Sequence, residues 1–315
     1  MSMRFRFTDA VVSDYNSTMP QEYSKARIAQ GVFYIVSASF CFALMGMLAH
    51  FAGDIPFVQK AFFRNIVAFF IASVLLLKEC CIGKQPFVLP AGSIRFLFFR
   101  SAAGSLGIFG NFYAIDKINI ADASILNKMS PFFAVVFSFV LLGEKIMPVP
   151  LGAICVSLIG AALVIKPSFN VAAMLPSLAG FFGGVGAGFA YACVRRLSAM
   201  KVNNALIVAC FSLFSSLLAV PFLIFRFVPM NARQILIMLG TGLAAAGGQF
   251  AVTAAYSTAP AAKISIFDYS QILFSSLMGY IAFGQIPDAM SFAGYAVIIA
   301  MAVVVFVYNR RHTDY

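Results

Sequence analysis

Apolar residues run along this chain in ten blocks: Ala29–Phe51, Phe57–Leu77, Arg95–Ile115, Ile120–Leu142, Pro148–Ile165, Pro176–Arg195, Ala205–Phe225, Ile235–Tyr256, Ala262–Phe283 and Ala289–Tyr308. Each is close to twenty residues, the length at which an α-helix rising about 1.5 Å per residue crosses the roughly 30 Å hydrocarbon core of a bilayer. The longest interval between blocks, Lys78 to Ile94, is too short to hold a core of its own, so no soluble domain is expected. The pattern predicts an all-α polytopic membrane protein with ten transmembrane helices. Residues 1–28 are polar and lack a short apolar core followed by a small-residue cleavage site, so they read as a retained cytoplasmic tail. Residues 309–315 form a second short tail.

Composition agrees with this reading: 62% of the 315 residues are hydrophobic and 10% charged, more apolar surface than a soluble fold can hide. The net charge of +11 would suit nucleic acid, but basic residues flanking membrane segments are topology signals, and no nucleic-acid partner is expected. With a cytoplasmic N-terminus, fourteen Lys and Arg fall on the inner side, Arg195, Arg196 and Lys263 among them, against four outside: Lys117, Lys166, Arg226 and Arg233. That bias places both termini in the cytoplasm and the chain in the cell (inner) membrane. The six cysteines show no C-x-x-C spacing, and four lie inside apolar blocks as small hydrophobes. Cys80 and Cys81, at a helix end, are read as interfacial residues, with reversible lipidation as the alternative.

Sliding the chain by 141 residues superposes Ala114 on Ala255, Ala121 on Ala262, Ser124 on Ser265 and Gly143 on Gly284 without a gap. The two repeats are residues 29–165 and 176–308. Five helices per half is an odd number, so the second half enters the membrane inverted. Inverted five-helix repeats are typical of secondary transporters, which hold cargo near the midplane between the halves.

These features carry a family resemblance. The ten-helix count, the five-plus-five duplication, Arg64 in "FFRNIVAFF" and the fourth segment "PFFAVVFSFVLLGEK" ending in Gly143-Glu144 resemble the EamA-type branch of the drug/metabolite transporter superfamily, from Gly31 to Tyr308. Within it, "FFRN" at Arg64, "FFRSAAG" at Arg100 and "FGQIPD" after segment 9 are similar to carriers that take up S-adenosylmethionine. The resemblance implies a carrier mechanism with a small-molecule cargo. One departure is visible: Gln285 stands where the first half has Glu144.

Helical periodicity sorts the polar residues inside the blocks. Arg100, Gly104, Gly107 and Asn111 share a stripe on segment 3, and Ser265, Asp268, Gln271, Ser275 and Gly279 share one on segment 9. Segment 4 offers Ser124, Lys128 and Pro131, segment 2 Lys60 and Arg64, and segment 8 Gln249 and Thr253 as uncharged cargo contacts. Hydrocarbon supplies no partner for such groups, so they are expected to face a protein interior. Counting from the block ends puts Arg64 and Lys128 about 10 to 12 Å deep from outside, and Arg100 and Asp268 about 8 to 9 Å deep from inside. On that count Arg100 pairs with Asp268, binds cargo, or snorkels to the cytoplasmic headgroups. Lys128 and Arg64 have no acid at their depth, so they either meet an anionic cargo or cluster with Asp122. Asp268 is in the alternative a proton carrier. For a zwitterion, the carboxylate would meet Lys128 with Arg64, and the ammonium or sulfonium would meet Asp268 when Arg100 releases it.

Segment 6 places Gly180, Gly184 and Gly188 four apart, a small-residue ridge for close packing or for a pivot between transport states, shared by Gly240, Ala244 and Gly248 of segment 8. His50 reads as interfacial. No nucleophile–base pair, metal cluster or phosphate loop is present, so neither an enzyme nor a cofactor is expected. A passive channel for small solutes is the competing reading, and a scaffold without transport a weaker one. Membrane lipids, a coupling proton or sodium ion, and a homodimer complete the partners that this class implies.

Overall fold

The computed structural model describes residues 25–81, 89–117, 126–165, 174–284 and 286–311. They are helical almost throughout. The elements are α1 (Lys25–Phe51), α2 (Phe57–Cys81), α3 (Ser93–Lys117), α4 (Ser130–Leu142), α5 (Pro148–Ile165), α6 (Met174–Ala199), α7 (Asn204–Arg226), α8 (Ala232–Thr258), an interrupted α9 and α10 (Ala289–Arg311). By length and composition, six of the described helices suffice to cross a membrane: α1, α2, α6, α7, α8 and α10. The chain is a polytopic membrane protein.

Helix starts follow local chemistry. Asn203 caps α7 by accepting from the Ala205 and Leu206 amides, and Asn231 and Gln234 form a reciprocal capping box at α8. Both α4 and α9 end on a left-handed glycine, Gly143 at φ 67° and Gly284 at φ 65°. These two glycines are one repeat length apart, and only a residue without Cβ takes that conformation cheaply.

Packing obeys the same exchange. The largest interface joins α3 to α6, and its repeat mate joins α8 to α1; α4 on α6 is mirrored by α9 on α1. Helices α2 with α7, and α5 with α10, pair across the halves. The Gly180–Gly184–Gly188 ridge of α6 meets Leu126 and Phe133 at the start of α4, while Gly183 and Gly186 face α3. On α8, Gly240 and Gly248 face Leu48 and Phe42 of α1.

Continuous helices were expected for segments 4 and 9, and here the structure corrects the sequence reading. The α4 helix begins only at Ser130, after a turn at Lys128 and Met129. Pro131, which lacks an amide hydrogen, suits a helix start and not a helix interior. Segment 9 is Ala261–Ile264, then a 3-10 turn over Ser265–Tyr269, then Ser270–Phe283. The breaks fall at corresponding places in the two repeats.

Close packing sets a prediction. A Cβ at Gly184 would sit 2.5 Å from the Leu126 carbonyl, and one at Gly188 2.6 Å from the Phe133 Cβ, whereas one at Gly46 of α1 would meet nothing within 4 Å. Gly184→Ala and Gly188→Ala are each expected to lower stability by about 1–3 kcal/mol. Gly46→Ala is expected to be neutral or to gain up to about 1 kcal/mol from helix propensity. Thermal unfolding of the purified variants in detergent checks the contrast.

Candidate functional site

The polar side chains converge where the two breaks meet. Lys128, in the turn before α4, donates to the Asp268 carboxylate (Nζ to Oδ2, 3.1 Å), to the Asp268 carbonyl (3.3 Å) and to Gln271 Oε1 (2.8 Å). An ammonium has three donors, and all three are used. Tyr269, the repeat mate of Lys128, donates in return to the Lys128 carbonyl at 3.0 Å, and Ser39 of α1 donates to the Asp268 carbonyl at 3.4 Å. The unwound backbone of α9 thus offers a carbonyl that a continuous helix would hold in its own ladder.

Arg100 donates from Nη2 to Gln249 Oε1 of α8 at 3.2 Å, and its guanidinium lies 4.2 Å from the ring centroid of Phe211 on α7. Arg64 is buried on α2 and makes no hydrogen bond or ion pair among the described residues; its neighbour Asn65 is bonded to Ser215 of α7 at 2.9 Å. Tyr191 of α6 stacks on Tyr256 of α8 (4.7 Å, 11°) and lies within electrostatic range of Arg64, Arg100 and Asp268. None of the four charged residues faces lipid: Arg64 is 7% exposed, Arg100 2%, Lys128 7% and Asp268 6%.

This arrangement differs from the sequence expectation in three ways. Asp268 is paired with Lys128, not Arg100, so Lys128 does have an acid at its own depth. Depth was counted at the α-helical rise; 3-10 backbone rises about 2.0 Å per residue, and the lysine stem adds its own reach. Arg100 does not snorkel, because Gln249 holds it nine residues from the end of α8. Asn111 is not brought into the group: its backbone lies against Gly183 of α6, and its buried Oδ1 has no partner among the described residues. Thr253 is fully buried, with its hydroxyl unbonded. Asp122, Ser124 and Gln285 lie outside the described residues.

Sequence reasoning missed two features. Tyr191 sits in a run of small residues that reads as packing. Arg195 was counted as a loop charge, yet it is 4% exposed and its Nε is 2.6 Å from Glu144 Oε1. Around that pair, Arg195 and Ser198 reach the Ser257 carbonyl (3.5 and 3.2 Å), and Ser257 donates to Asn204 Oδ1 (2.8 Å), so one network joins the ends of α4, α6 and α8 to the start of α7. At the opposite end of the bundle the repeat-related contact is aromatic: Phe283 of α9 packs on His50 (4.7 Å) and Phe51 (4.9 Å) of α1.

Comparison with known proteins decides the family. The pseudopaline exporter CntI of Pseudomonas aeruginosa strain UCBPP-PA14 is 30% identical over 278 residues, covering 88% of this chain and 95% of its own, and the EamA-like transporter family matches residues 29–166. The chain belongs to the EamA-like transporter family. The riboflavin transporter of Vibrio cholerae is 27% identical over 86% of this chain and 90% of its own, and human solute carrier family 35 member G1 is 24% identical over 91% and 81%. A crystal structure with 18% identity superposes with a TM-score of 0.77 over 90% of this chain and 98% of its own, which shows a shared fold. The protein is a membrane transporter.

The buried pair sets a second prediction. Lys128→Ala leaves Asp268 buried without its cation and is expected to cost about 3–5 kcal/mol. Replacing both partners by apolar residues of similar size, Lys128→Met with Asp268→Leu, is expected to recover most of that loss, because a buried ion pair is roughly interchangeable with good apolar packing. Unfolding of the single and double variants measures the difference.

Proposed function

We propose that this protein is a secondary active transporter that moves a small polar metabolite, anionic or zwitterionic, across the cell membrane by alternating access about the level of Lys128 and Asp268. One observation carries the reading: Arg64 and Arg100 lie buried within electrostatic range of Tyr191, as does Asp268, and neither arginine has a carboxylate partner among the described residues. Buried cations demand an anion, and an anionic group on the cargo supplies it. Lys128, with its three donors engaged, is a strap between the halves; the carboxylate assigned to it from sequence moves to the arginines. Asp268 uses only Oδ2 toward Lys128, which leaves Oδ1 for a cationic group on a zwitterion. Broken helices lining a site between inverted halves suit a rocking mechanism.

Alternating access also needs ends that open in turn. On the orientation given by the loop charges, Glu144 and Arg195 close the cytoplasmic end, and Phe283 with His50 and Phe51 closes the outer one. Proteoliposomes test the function: for at least one labelled anionic or zwitterionic metabolite, in a screen that includes amino acids and S-adenosylmethionine, saturable uptake and counterflow are expected, whereas flux that rises without saturation would make the protein a channel. Glu144→Gln should loosen the inner end. Cys193, fully buried on α6 two residues before Arg195, reports it in a background where it is the sole cysteine. Labelling of Cys193 by a membrane-impermeant maleimide from the cytoplasmic face is expected to rise severalfold in Glu144→Gln and to stay low in the parent.

A further inference from the structure

The interior charges do not balance, and the imbalance specifies the cargo more closely. Among the described residues, Arg64, Arg100 and Asp268 all lie within electrostatic range of Tyr191, and Lys128 is bonded to Asp268, so this region holds three positive charges against one negative. Lys128 and Asp268 neutralise each other at 3.1 Å. Glu144 is committed to Arg195 at 2.6 Å, at one end of the bundle. Two guanidiniums are left, each more than nine-tenths buried and each with an Nε that has no hydrogen-bond partner among the described residues. Their remaining contacts are uncharged: Gln249 and the Phe211 ring for Arg100, and the neighbourhood of Tyr191 for Arg64. Neutral dipoles and rings soften the burial of a cation but do not cancel its charge.

Resting on the transport reading above, we infer that the cargo is a dianion, carrying two negative charges as two carboxylates or as one phosphate monoester, with one charge received by Arg64 of α2 and one by Arg100 of α3. A single carboxylate shared between both arginines would still leave a net positive charge in the interior. A guanidinium offers a planar fork of donors that matches carboxylate and phosphate oxygens, so two such forks presented by neighbouring helices form a receptor for two anionic charges. Tyr191, within range of both, adds a hydroxyl with no hydrogen bond of its own among the described residues.

The charge imbalance can be tested without knowing the natural cargo. In the purified full-length protein without ligand, Arg64→Met removes an uncompensated buried cation and is expected to raise the thermal midpoint, while Arg64→Lys, which keeps the charge, is not. Glutarate and glycerol phosphate are expected to raise the wild-type midpoint at concentrations at least tenfold below those needed for glutaramate, which keeps one carboxylate. Arg64→Met and Arg100→Met should each abolish that preference for the second charge. The inference is overturned if Arg64→Met melts below wild type, if glutaramate stabilises as well as glutarate, or if neither dianion stabilises at all. Counterflow separates this result from the transport reading. Saturable exchange with no preference for a second charge sinks the dianion and leaves the carrier, whereas charge-dependent binding without exchange sinks the carrier and leaves the dianion site.

Discussion

Everything in this structure answers to the absence of water inside a bilayer. A backbone carbonyl or a side-chain charge in hydrocarbon has only the protein to satisfy it. The chain meets that demand with helices whose carbonyls are bonded internally, and among the described residues it breaks that regularity in the turn before α4 and in the 3-10 stretch of α9. There, unwinding exposes the Asp268 carbonyl, and Lys128 collects it together with the Asp268 carboxylate and Gln271. The pair and the breaks need each other. Without Lys128 the buried Asp268 carboxylate would lose its cation, and without the turn Lys128 would lack its third partner.

Much of this was legible in the sequence, and the boundary of legibility is physical. Hydropathy fixes spans because their length is dictated by the bilayer, so the blocks ending at Leu142 and Phe283 end there in the structure as well, each on its glycine. Burial of Arg64, Arg100, Lys128 and Asp268 followed from the cost of exposing charge to lipid. Pairing did not follow, because it depends on depth to within a few ångströms, and depth was counted as though segments 4 and 9 were regular helices. Pro131 hinted at the break in one repeat. No comparable residue marks the break in the other, since a 3-10 turn over "SIFDY" is stabilised by its partners on α1 and α4 and not by its own composition. Arg195 was misread for a related reason: adjacent arginines at a helix end look alike in sequence, yet one meets Glu144 inside the bundle.

Symmetry in backbone coexists with asymmetry in chemistry. Glycines let α6 approach α3 and α4, and glycines again let α8 approach α1, so the two halves repeat the same close packing. Their closing contacts are different. The end shared by α4 and α6 is held by an ion pair within a polar network, while the repeat-related end shared by α9 and α1 is held by rings. An ion pair with little solvent around it resists separation until water or another charge replaces a partner, whereas aromatic contacts slide at lower cost.

That difference bears on direction. The named relatives include an exporter, yet a site reached alternately from both sides has no direction of its own; cargo gradients and any coupled ion set the net flux. The protein contributes the resting bias. On the proposed alternating-access reading, a polar latch at one end and rings at the other would hold the state closed at the α4–α6 end more strongly, and cargo would enter more readily from the α9–α1 end. Arg64 and Arg100, with no carboxylate among the described residues, would reinforce that bias, because opening an end while they lack an anion changes their hydration but not their charge. On the same reading the interior would be electrically balanced only with anionic cargo in place, so the charges proposed to select the cargo would also be the ones that license the movement.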